Sequence, residues 1–239
     1  MTATLTGEEL LLAALARVRD PELDEAITSL GFVSGCTLSA EGVAQVRLRL
    51  PTYFCAPNFA FLMVADAYDA VSATDGVRST EVILEEHFAA DAINQGVAAR
   101  AGFANSFAGE AVGELDRLRS NFLRKAVLAG TDQVCRPLLA AGVDSVELSS
   151  LRLGSVPNSP ALQRLRHRRA ELGLPAADGD WLIIDPETGK PVPDDAVSLH
   201  MIRARTTRVS IDANTGVCRG MLRHRYPDRG VGEKDEVTT

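Results

Sequence analysis

The chain has 239 residues, 46% of them hydrophobic and 24% charged, with a formal net charge of −7. That length can bury a real core in one large or two small domains, the composition excludes wholesale disorder, and the acidic balance argues against nucleic-acid binding. The longest apolar runs fall far short of the roughly 20 residues that span a bilayer, and MTATLTGEEL lacks the basic start of a secretory signal, so a cytoplasmic protein with no membrane partner is expected.

In chain order, TGEELLLAALARVRD reads as a helix, with Thr6 as N-cap and Glu9 placed for a capping box. Pro21 ends it by disfavouring helix at Asp20. Residues 32–38 and 43–50 read as strands around the turn SAEG; in the second, Val46, Leu48 and Leu50 alternate with Gln45, Arg47 and Arg49, giving one buried and one wet face. A helix follows over 59–71, starting at Pro57 or Asn58, then the turn TDG and a third strand in VRSTEVILEEH. The expected N-terminal unit is α-β-β-α-β. Beyond it lies an Ala/Gly-rich, interrupted helical stretch, then a long helix over 109–141. Phe107, Ala111, Leu115, Leu118, Phe122, Ala126 and Ala129 form its apolar stripe, and Gly142 is its stop. Residues 143–153 read as a strand.

GSVPNSP reads as a linker, and Ser159-Pro160 as the cap and first position of a basic helix. The rest reads as β-rich: WLIID a strand, AVSLHMIRARTTRVSI a long alternating strand, DANTG a turn and VCRGMLRH a last strand. The fold class expected is α+β: an α/β domain over 1–90, a helical extension with the long helix over 91–156, a basic helix plus antiparallel β region over 157–228, and a disordered tail over 229–239. The charge is uneven too, with 8 basic and 17 acidic residues in 1–120 against 17 and 15 in the remainder.

Four cysteines stand far apart, none in a CxxC pair, which excludes a zinc ribbon and a disulfide scaffold. Cys36, Cys135 and Cys218 fall within predicted elements and read as small buried apolar side chains. Cys55, in LPTYFCAPN, differs. It stands just before a helix start, where unpaired N–H groups and the positive end of the dipole favour a thiolate, the form that attacks and that binds metal. Flanking prolines restrict the loop, and Tyr53, Phe54 and Phe59 are expected to wall off water. A Cys plugging a loop is the alternative. Glu85, Glu86, His87 and Asp91 form a second cluster. His87 and Asp91 would share a face if helical, and imidazole with carboxylates suits ferrous iron or zinc. The candidate metal ligands are Cys55, His87, Glu86 and Asp91, with Asp20 and Glu22 as further oxygen donors; a polar strand end and ordinary turn chemistry explain the same residues without metal. No phosphate loop, G-x-S-x-G elbow or H-E-x-x-H motif is present, and DANTG lacks the later ligands of a calcium loop.

The order helix, Asp20-Pro21-Glu22, Leu30-Gly31, two strands, Thr52 and Cys55 in a loop, helix, Gly76-Val77 and Ile83-Leu84 resembles metal–sulfur cluster assembly factor domains of the SufT and PaaD type. The resemblance covers about residues 7–90. It departs from the family in Ser29, where an acidic residue is usual, and in TYFCAP, where Thr-x-x-Gly-Cys-Pro is typical. The stretch from Glu85 to Ala126 resembles a longer subgroup associated with gene clusters of bacterial di-iron monooxygenases. The resemblance implies iron or an iron–sulfur cluster held transiently, with Thr52 joining the site. It further implies a client metalloenzyme as partner, with a chaperonin as another; a homodimer is expected because one chain offers few convincing ligands and the long apolar-striped helix needs a partner surface, which its own C-terminal domain could equally supply. An accessory maturation factor is the leading expectation. The alternatives are a non-catalytic adaptor with a structural Cys55, and a thiol enzyme with Cys55 as nucleophile and His87 as base.

Overall fold

The computed structural model describes residues 6–100, 102–106 and 113–227, which form two compact units: one from the chain up to Leu115 together with the segment from Thr215 on, the other Asp116–Asn214. The chain is α+β. Phe107 and Ala111 of the predicted stripe, and the predicted disordered tail from Gly230 on, lie outside the described residues.

The first unit begins with α1 (Gly7–Leu15), closed by the expected capping box between Thr6 and Glu9. The helix is shorter than predicted, because the chain turns into a ladder of two short strands, β1 (Arg19–Asp20) and β2 (Glu25–Ala26). Asp20 nucleates the turn between them: its carboxylate accepts from the N–H groups of Glu22 (2.8 Å) and Leu23 (2.9 Å). β3 (Val33–Leu38) pairs antiparallel with β4 (Val43–Arg49), and β4 pairs parallel with β5 (Ser79–Glu85) through the crossover helix α2 (Pro57–Ser72). This is the predicted α-β-β-α-β order. The alternation of β4 holds up to Leu48, with Ala44, Val46 and Leu48 buried against a core of Leu11, Leu15, Phe32, Val64 and Leu84; Arg49, expected on the wet face, is instead buried, with its guanidinium over the Tyr226 ring. Two helices follow, α3 (Ala90–Ala98) and α4 (Phe103–Ser106).

The second unit holds most of the long helix α5 (Glu114–Ala140), whose end is followed by Gly142 at φ +96°, as its predicted stop requires. Residues 143–153 are not a strand. They form α6 (Ser145–Ser150), because Asp144 and Glu147 cap each other reciprocally through side chain and backbone N–H at 2.9 and 3.0 Å. The basic helix α7 (Pro160–Glu171) has the predicted Ser159 cap and Pro at its start. The core of this unit gathers Val127, Val134, Leu148, Leu162, Leu182 and Val197.

The β-rich C-terminal region is corrected by the structure. WLIID makes only isolated bridges, Arg152 with Trp181 and Ile184 with Pro191. The two predicted strands and the DANTG turn are one helix, α8 (Asp194–Arg225). Its inward positions are Val197, His200, Ala204, Ile211, Thr215, Cys218 and Leu222, at steps of three, four and seven, the heptad-like spacing of a single helical face. Asp194 and Asp195 in its first turn and Arg223, His224 and Arg225 in its last complement the helix dipole. Its residues from Thr215 on belong to the first unit, where Leu222 joins the core. None of the described helices is long and apolar enough to cross a membrane.

Candidate metal-handling site

The parallel pairing of β4 and β5 runs to Arg49 opposite Glu85, so both strands end at the same edge and their following loops lie side by side. Ligand sites in parallel sheets form at the carboxyl ends of strands. The β4 loop, 50–56, carries Thr52 and Cys55; the β5 loop, 86–89, carries Glu86 and His87. Two hydrogen bonds join them: Phe88 N–H donates to Tyr53 O at 3.0 Å, and His87 Nε2 lies 2.7 Å from Cys55 O.

His87 is buried and both its ring nitrogens are engaged. Nδ1 accepts from the N–H of Ala89 at 3.2 Å, which leaves the proton on Nε2 to be donated to the Cys55 carbonyl. Burial, ahead of the Arg225 charge, holds the imidazole below its ordinary value against the opposing effect of the Cys55 carbonyl, which keeps the ring neutral. His87 thus braces the thiol loop, and its bond is to the carbonyl of Cys55 rather than to the sulfur. His87 and Asp91 do not share a helical face, because α3 begins only at Ala90. Asp91 is exposed in the first turn of α3.

The Cys55 sulfur lies 3.2 Å from Thr52 Oγ1. Cys55 is half-buried, directly before the N-cap Ala56, and α2 starts at Pro57 as the prolines indicated. The expected aromatic wall does not form. Tyr53 is 51% and Phe54 74% exposed, and with Phe88 at 52% they make a solvent-facing patch on the two loops. Tyr53 meets Phe54 edge-on at 6.0 Å and Phe88 at 6.3 Å. The physical reason is the shortness of the two loops: their backbones hydrogen-bond to each other, leaving no interior for these rings.

Glu86 is held by the end of α8. Arg225 donates to the Glu86 backbone O at 2.5 Å and to Leu50 O at 3.1 Å, and the Tyr226 hydroxyl donates to the Glu86 carboxylate at 3.0 Å. Asp20 is buried at the β1–β2 turn, with its carboxyl pushed up to about 6, first by burial, against the opposing backbone N–H groups of Leu23 and Glu22. Sequence reasoning assigned Cys218 only a packing role in a strand. It lies instead on α8, half-buried, where burial first and then the charges of Asp20, Cys55 and Glu22 push its thiol up to about 11. Cys36 and Cys135 are fully buried core residues, as expected. The structure therefore brings Thr52, Cys55 and His87 together, with Asp20, Glu22 and Cys218 close enough for charge to act between them. Among the described residues, no three His, Cys, Asp or Glu side chains converge as a ready-made metal shell.

Residues 8–84 match the family of iron-sulfur cluster assembly proteins, to which this segment of the first unit is therefore similar. The match spans α1 to β5 and includes Asp20, Glu22, Thr52 and Cys55 but ends before Glu86 and His87. No curated protein and no solved structure is detectably similar to the chain.

Proposed function

We propose that the protein is an accessory maturation factor that receives iron or an iron–sulfur cluster on Cys55 and passes it to a client metalloenzyme, a di-iron monooxygenase, in the cytoplasm. The observation that carries this reading is the half-buried Cys55 thiol at the edge where β4 and β5 end, inside the segment that matches the iron–sulfur cluster assembly family. The metal is cargo here, and thiolate is the side chain that suits both iron and clusters. His87 fixes the loop backbone, and Thr52 offers the sulfur a hydrogen-bond partner whichever of the two donates. The exposed rings of Tyr53, Phe54 and Phe88 surround the thiol with the residue types that anchor protein interfaces, which suits a protein donor or acceptor.

The adaptor reading uses the same aromatic patch and leaves Cys55 structural. Anaerobic purification of wild type and Cys55→Ser, with iron and sulfide measured after reconstitution, separates the two. Bound metal lost in the variant, together with loss of monooxygenase rescue in cells, is the expected result. Full rescue by Cys55→Ser overturns the maturation reading in favour of the adaptor.

A further inference from the structure

We propose that Arg225 and Tyr226, at the end of α8, are positioning residues for the thiol site: they fasten the loop that carries Cys55 to the loop that carries His87. This deepens the maturation reading and rests on it for what the site is for.

The β4–β5 ladder ends at Arg49 opposite Glu85, so Leu50 and Glu86 are the first residues past it on the two strands. One guanidinium joins them there. Arg225 donates to Leu50 O at 3.1 Å and to Glu86 O at 2.5 Å. The rigid planar fork of an arginine can bridge two carbonyls in this way, whereas an ammonium is a point charge with no such fixed geometry. Tyr226 adds two contacts. Its hydroxyl donates to the Glu86 carboxylate at 3.0 Å, and its ring lies 4.7 Å from the guanidinium carbon of Arg49, the buried last residue of β4. The clamp is itself anchored. Leu222, one turn earlier, sits in the first core and accepts from the Tyr226 N–H at 3.0 Å.

Glu86 shows why a clamp is needed. Its φ is +49°, in the left-handed region that a residue with a side chain enters only at a cost. Such a conformation persists where the surroundings hold it, and it is most common at functional sites. Here the end of α8 holds both the carbonyl and the carboxylate of Glu86. His87 follows directly, so the turn at Glu86 sets where its ring meets the Cys55 carbonyl, at 2.7 Å. The order of dependence runs from Arg225 and Tyr226, through Glu86 and His87, to the backbone of Cys55. Both clamp residues lie outside residues 8–84, so this chain supports its thiol loop with a segment that the family match does not include.

The test uses full-length protein, reduced and free of metal, as wild type, Arg225→Met, Arg225→Lys and Tyr226→Phe. Circular dichroism checks that each folds. Amide hydrogen exchange read by mass spectrometry follows the loops 50–56 and 86–89, with β3, β4 and β5 as the measure of general stability. Iodoacetamide alkylation, located by peptide mapping, reads the accessibility of Cys55. In Arg225→Met both loops should exchange, and Cys55 should alkylate, about tenfold faster, while the strands keep their protection. Arg225→Lys should recover only part of this, since it restores the charge without the fork. Unchanged loops in Arg225→Met overturn the proposal, and so does equal loosening of loops and strands, which a residue serving only general stability would give. Should Arg225→Met fail to fold, Tyr226→Phe decides: faster exchange confined to 86–89 supports the clamp, and an unchanged loop overturns it. Anaerobic iron reconstitution separates this proposal from the reading it rests on. Arg225→Met should retain less iron than wild type; equal iron despite loosened loops overturns the positioning role and leaves Cys55 as the metal thiol. Loosened loops in the variant of a wild type that holds no iron support the clamp and overturn the maturation reading alone.

Discussion

Asp20 is a carboxyl in the wrong solvent. It is buried because its turn needs an acceptor for the N–H groups of Glu22 and Leu23, and burial lifts it from 3.8 to about 6 despite those bonds. A carboxyl raised on folding binds its proton more tightly in the folded state. Its contribution is full below about 3.8 and is lost as pH rises through about 6. Asp20→Asn keeps an amide oxygen for both N–H groups and removes the charge. The variant should gain on the order of 1–3 kcal/mol over wild type at pH 7, with the difference vanishing near pH 4. Urea unfolding at several pH values between 4 and 7 measures it; parallel profiles for the two proteins would refute the account. The Cys218 thiol should also become easier to deprotonate, since Asp20 is the foremost charge acting on it.

At the scale of elements, α8 is where sequence and structure part. Its buried face includes His200, Ala204, Thr215 and Cys218, which carry little hydrophobic signal, while Leu199, Ile202, Val209, Val217 and Met221 are exposed. A pattern reader weights the exposed aliphatics and finds alternation, and so a strand. The terminal charges gave the contrary signal, two Asp at the start and a basic trio at the end, which mark helix ends. The N-terminal unit was legible because its strands are half-buried and its turns carry Gly, and the place of Cys55 just before α2 because prolines mark that helix start. Cys218 and the brace formed by His87 were not, since both depend on contacts between segments far apart in sequence. The docking of α8 makes a direct prediction. Leu222 is 3% exposed in the core of the first unit, so Leu222→Ala should cost that unit about 2–4 kcal/mol. Chemical denaturation followed by circular dichroism measures the loss. A change within about 0.5 kcal/mol would mean that the end of α8 is not part of the folded domain.

At the scale of the molecule, each unit carries its own apolar cluster, so the chain should not unfold as one cooperative body. Arg169 offers a handle on the second unit alone. It is fully buried, and its guanidinium donates to the carbonyls of Trp181 at 2.8 Å and Leu182 at 2.5 Å, tying α7 to the bridge segment where a β-strand was expected. Burial foremost lowers its value to about 10, still far enough above neutrality to keep it charged. Replacing it by methionine fills much of the volume but leaves these buried carbonyls without donors. The loss should be on the order of 3 kcal/mol. Calorimetry should then show two transitions in wild type. Only the one belonging to the second unit should move down in Arg169→Met, and only the other in Leu222→Ala. If both substitutions shift a single common transition, the two cores unfold together, and metal binding at the Cys55 loop would be thermodynamically coupled to the second unit through that shared stability.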